Sequence, residues 1–261
     1  MGDSPAGPSA YAGAAEPPGA VPGPARVIDM LVAAAVCPCP PLLVPEVAAG
    51  AAAELEPLRA ACTAAVAELV AAGPELIVVV GTGSEPEVWT EGGAGSFQRY
   101  GVGLAVRLPS GGVDGPELAP SLTVGAWLLA RAGVALPTHA CAVPADSPAE
   151  RMTGLGKGLA GLADRVGLLV MGDGSACRSV KAPGYLDDRA EAYDEAVARA
   201  LGSADLAALG ALDAGLSAEL QAEGRAPWQV LAGAAEGTGL AARLTYQDAP
   251  YGVGYFVASW S

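Results

Sequence analysis

The residues of this chain whose types could do chemistry cluster just after its apolar runs. Cys37-Pro38-Cys39-Pro40-Pro41 presents two thiols in a stiff turn, because proline gives no N–H to a strand and turns its predecessor away from helix. Gly81-Thr82-Gly83-Ser84 and Gly172-Asp173-Gly174-Ser175 are a repeated turn that aims backbone N–H groups and a hydroxyl off a strand end, and Cys177 and Arg178 follow the second copy. Gln247, Asp248 and Tyr251 share a turn near the C-terminus, and His139 and Cys141 alternate with Val143. Three chemistries suit these types. Cys39 and Cys177, with Cys37 and with His139 or Cys141 as further donors, suit zinc or copper(I), which favour soft ligands, and Asp248 offers a carboxylate beside them; the Cys-x-Cys spacing is one residue shorter than the usual structural zinc pair. Cys177 beside Arg178 suits a nucleophile of lowered pKa, though the sequence offers it no general base. Thr82, Ser84, Asp173, Ser175, Arg178, Lys181, Gln247 and Tyr251 suit polar contacts to a small-molecule ligand. Each has a plain structural reading beside it: Cys37 and Cys62 as core, His139 as a core histidine, Asp173 as a turn cap.

The elements that must position these groups read as alternating strands and helices. Met30 to Val36, Glu75 to Val80, Leu136 to Val143 and Val166 to Met171 read as strands, and their mostly apolar residues suit strands covered on both faces. Between them, a helical segment opening at Pro45 carries Leu55, Leu58, Cys62, Val66 and Leu69 on one face, and helices are expected over 122–132 and 149–164. This alternation predicts a single α/β domain with a mostly parallel central sheet flanked by helices. Ligands of such sheets bind at the carboxyl ends of the strands, where the cysteine and glycine turns fall. Residues 85–120 read as an irregular excursion with an extra hairpin. Helices follow over 187–202, 206–222 and 227–235, and the chain closes on strand, turn, strand. Neither Gly-x-Gly turn is a dinucleotide fingerprint or a phosphate loop, since the third glycine and the Gly-Lys-Ser/Thr are missing.

Composition narrows the partners. A formal net charge of −14, with Lys157 and Lys181 the only lysines, argues against nucleic acid or an anionic membrane surface. No apolar run reaches the roughly 20 residues of a membrane span. The five cysteines are odd in number and irregularly spaced, as in reduced cytoplasmic proteins rather than disulfide frameworks. Residues 1–28, mostly alanine, proline and glycine, are expected to be a disordered leader, with 29–261 the folded domain. Asp29 interrupts the apolar run and no basic region precedes it, so an export signal is not expected, and Met30 is an alternative start.

The order of these pieces resembles a known family. A strand into C-P-C-P-P-L-L-V-P-E, a second strand into a small polar turn, a late strand into G-D-G-S-A followed by P-G-Y-L-D-D-R, and a terminal A-P-Y-G-V-G-Y-F are similar, over residues 30–260, to the class III extradiol dioxygenase subunit-B superfamily and its Memo-type relatives. That resemblance implies a single α/β domain, a homodimer, and ferrous iron held by two histidines and a carboxylate. It also implies a further histidine serving as acid/base on a catechol-like ring. The family's ligand histidines fall at Cys39 and near Thr82 to Ser84, its acid/base histidine near Ala176 to Arg178, and its third ligand near Asp248. A facial triad leaves iron open to substrate and oxygen, and His139, the single histidine, lies on a different strand. The expectation is therefore a relative that has lost the iron site and binds a small molecule, or runs other chemistry, in the old pocket. A thiolate zinc or copper(I) protein, a ring-cleaving oxygenase with an atypical metal site, and a scaffold without site chemistry are the alternatives.

Overall fold

A computed structural model describes residues 31–84, 87–89, 93–110 and 115–261. The expected leader, 1–28, lies outside the described residues. Strands β1 (Leu31–Cys37), β2 (Leu76–Thr82), β6 (Thr138–Val143) and β7 (Val166–Met171) form the parallel heart of a seven-stranded sheet. Three antiparallel strands extend it: β3 (Glu87–Trp89) beside β6, and β9 (Tyr255–Trp260) then β8 (Ala242–Asp248) beside β1. The spatial order is β3-β6-β2-β7-β1-β9-β8. The expected extra hairpin is a separate pair, β4 (Ala94–Ser96) with β5 (Ala105–Arg107).

Side chains alternate between the two faces of the sheet, and each face is dry. Ala33, Ala35, Ile77, Val79, Leu169 and Met171 point to one layer. There they meet α2 (Glu56–Ala71) through Leu58, Cys62, Val66 and Leu69, and α3 (Pro120–Arg131) through Leu122 and Leu129. Ala34, Val36, Val78, Val80, Leu168 and Val170 point to the other. That layer is covered by α4 (Ala149–Ala160), α5 (Ala190–Ser203) and α8 (Arg225–Ala234). With small strand side chains, helices can approach closely. At the α4–α8 crossing a Cβ on Gly156 would stand 2.0 Å from the Val230 carbonyl oxygen, and one on Gly233 2.0 Å from that of Thr153. Gly156 of α4 and Gly233 of α8 are thus what lets the two backbones touch.

Two expected helices are divided. The segment from Pro45 splits into α1 (Pro45–Ala48), a 3-10 stretch over Ala49–Leu55, and α2, because Ala49 takes φ +48° and Gly50 follows it. The segment 206–222 splits into α6 (Leu206–Gly210) and α7 (Ala214–Glu219), since Asp205 and Asp213 each accept an N–H of the following turn and start a helix of their own.

Candidate functional site

The connections after β1 and β2 lead to helices on one face of the sheet, while the connection after β7, which lies between them, leads to α5 on the other. Neighbouring strands whose connections depart to opposite faces leave a crevice at their carboxyl ends. The residues at that crevice are Cys39, just past β1; Thr82, ending β2; and Asp173, just past β7.

Hydrogen bonds tie these three ends to one another and to the loop ahead of α8. The Cys39 N–H donates to Asp173 Oδ1 at 2.7 Å. The Gly172 N–H donates to the Cys37 carbonyl at 3.0 Å, and the Gly224 N–H to the Asp173 carbonyl at 2.8 Å. Thr82 Oγ1 donates to the Glu223 carbonyl at 2.7 Å. The approach is close because Gly172 has no side chain: a Cβ there would lie 2.5 Å from Gly224 Cα. A cavity of about 290 Å³ opens beside this loop, lined by Ala145, Asp146, Ser217, Gln221 and Glu223 among others.

The electrostatics of the crevice are one-sided. Burial, then the nearby Glu223 carboxylate, push the Asp173 carboxyl up to about 7, against the pull of the Cys39 N–H. Burial and then the Asp173 and Glu223 carboxylates hold the Cys39 thiol well above its ordinary range. Tyr255, on β9, is raised by burial and by Asp173. The arrangement offers acceptors to a ligand, and Asp173 can take up or release a proton near neutral pH.

Several expected site residues serve the fold instead. Ser175 is fully buried, giving its N–H and hydroxyl to the two oxygens of Asp194 at 2.8 Å each. Arg178 pairs with Asp194 and Glu191 at 3.2 and 3.1 Å. Cys177 lies in the α5 and α8 layer, with Cys39 in the other, and its Sγ donates to the Gly184 and Leu220 carbonyls at 3.5 Å. Burial, then the Asp187 and Asp194 carboxylates, raise that thiol rather than lowering it as expected, and Arg178 is paired with Asp194 and Glu191 instead. Gln247 and Asp248 stand on β8, with β9 between them and β1. Gln247 faces α5, while Asp248 Oδ1 accepts the Ala249 N–H. Tyr251 donates to Glu54 at 2.9 Å. Ser84 and Lys181 are exposed.

Cys39, Cys177 and Asp248 are thus not brought together. Among the described residues no three His, Cys, Asp or Glu side chains are grouped so as to hold a metal ion. His139 is four residues short of the end of β6, roughly 13 Å down the strand, with Nδ1 buried and unpartnered. The residues present do not fit the ferrous site of the extradiol family. The residues of the crevice without a signal in the sequence are Glu223 and Tyr255. Glu223 has no local signal beyond a following glycine, since only the packing of α8 against the sheet carries it to this edge.

No family model matches the chain, and no curated protein matches it. Among solved structures it is similar to the crystal structure of uncharacterized protein JW3007 from Escherichia coli K12, at a TM-score of 0.48 and 16% identity, over 88% of this chain and 99% of that one.

Proposed function

We propose that this chain is an extradiol-dioxygenase-like protein without the iron site, which binds a small hydroxyl-bearing aromatic molecule at the carboxyl edge of its sheet. The observation that carries the reading is the convergence of the β1, β2 and β7 ends and the Glu223 loop on the half-buried Asp173 carboxyl. The chemistry of the crevice favours ligands that donate hydrogen bonds, because Asp173, Glu223 and Thr82 all present oxygen, and it disfavours anions. A catechol meets that requirement with two hydroxyls, and the sequence resemblance points to the same class. Asp173 accepts one hydroxyl when ionised and donates when protonated, and the Cys39 N–H orients its carboxyl. No step through iron follows, for want of ligands.

Calorimetric titration of catechol into the full chain, purified without added metal, tests this. Saturable binding that Asp173→Asn weakens at least about tenfold is expected, a neutral amide being a poorer acceptor than a carboxylate. Addition of ferrous iron is expected to bring no oxygen uptake. Binding indifferent to Asp173→Asn, or iron-dependent ring cleavage, would overturn the reading.

A further inference from the structure

The sheet ends very differently on its two sides. Beyond β6 its border is β3, three residues long; beyond β9 it is β8, seven residues long, with no described strand on its outer side. An unpaired strand of that length leaves a row of backbone donors and acceptors facing outward, a ready template for another strand. A groove of about 650 Å³ lies on one face of this edge, between α5 and β8, lined by Glu195, Ala198, Arg199 and Ser203 on the helix and Leu244 and Gln247 on the strand.

The charges along β8 choose the occupant. Arg243 and Asp248 sit on the same face of the sheet, for Arg243 pairs with Glu68 of α2 at 2.6 Å and Asp248 bonds to Tyr246, which packs in the α2 layer. Leu244 and Gln247 share the opposite face, in the groove. When β8 is laid antiparallel against itself with the axis between Thr245 and Tyr246, each Arg243 falls opposite Asp248 of the second copy, and each Leu244 opposite Gln247. Both strands carry their register shift between Leu244 and Tyr246, so the irregularities meet at the axis and the two flanks stay in step. In a chain of net charge −14, copies repel unless a contact pairs opposite charges, and this register provides two such pairs.

We propose that two copies of this chain join edge to edge through β8, antiparallel about a two-fold axis, with reciprocal Arg243–Asp248 pairs. Sedimentation equilibrium of the full chain over a concentration series tests it, using Asp248→Arg, Arg243→Glu and the double variant. Both side chains are exposed, and circular dichroism of each variant separates lost association from lost folding. A dimeric wild type is expected, weakened by about tenfold or more in each single variant and restored in the double, because like charges directly opposite in a ladder are destabilising. A monomer at every concentration, which would leave the edge to some other protein's strand, overturns the proposal. So does a dimer indifferent to the single changes, or a double variant as weak as either single.

Discussion

Asp173 is a carboxyl whose surroundings have been spent on everything except a counter-charge. It has one backbone N–H, a second carboxylate nearby and, among the described residues, no cationic side chain bonded to it. Because it keeps its proton up to about 7 in the folded chain, against roughly 4 for an ordinary aspartate, the native state binds more protons than the unfolded state between those values. Its contribution to stability is therefore lost as pH rises through that window. Urea unfolding at pH 5 and pH 8 should show the wild type losing stability between the two, and Asp173→Asn abolishing a share of that loss on the order of a few kcal/mol. Asp194 is the opposite case, buried but served by Ser175 and Arg178. Asp194→Asn should cost about 2–4 kcal/mol in urea unfolding at pH 7, because Arg178 loses its buried partner. The sequence brought Cys39, Thr82 and Asp173 forward as candidates because each stands at or just past the end of a strand. It left Ser175 and Arg178 ambiguous, since a serine and an arginine in a glycine turn serve a ligand or a neighbouring helix equally well. Only the arrival of Asp194 from α5 decides between them.

At the scale of elements, the α4–α8 contact is backbone on backbone. A Cβ at Gly156 would meet the Val230 carbonyl oxygen, whereas one at Gly158 of the same helix has nothing within 4 Å. Gly156→Ala should cost about 3 kcal/mol or more through overpacking, and Gly158→Ala should stabilise by about 0.5–1 kcal/mol by relieving backbone entropy. Thermal melting of the two variants checks both signs together. β1, β2 and β7 were readable because burial on both faces leaves a near-continuous apolar run, and β7 runs over Val166–Met171 as its composition demanded. The helix divisions were not. The break at Ala49 is a single alanine held at positive φ, and those at Asp205 and Asp213 are caps whose signal a long alanine-rich periodicity conceals. The order of strands in the sheet, which places β7 between β1 and β2, is set by tertiary packing and has no local mark.

For the whole molecule, an α/β sheet offers a crevice where connections part to opposite faces, and what occupies the crevice is decided by the side chains there. Here oxygen acceptors and a protonatable carboxyl stand at that place, and the single histidine lies well down a neighbouring strand. The two amides bonded to Asp173, those of Cys39 and Gly224, report directly on the crevice. A catechol titration of the 15N-labelled chain, purified without added metal, should move both resonances saturably, and Asp173→Asn should remove the response. Shifts confined to residues away from the β1, β2 and β7 ends, or no shift at saturating catechol, would contradict the account.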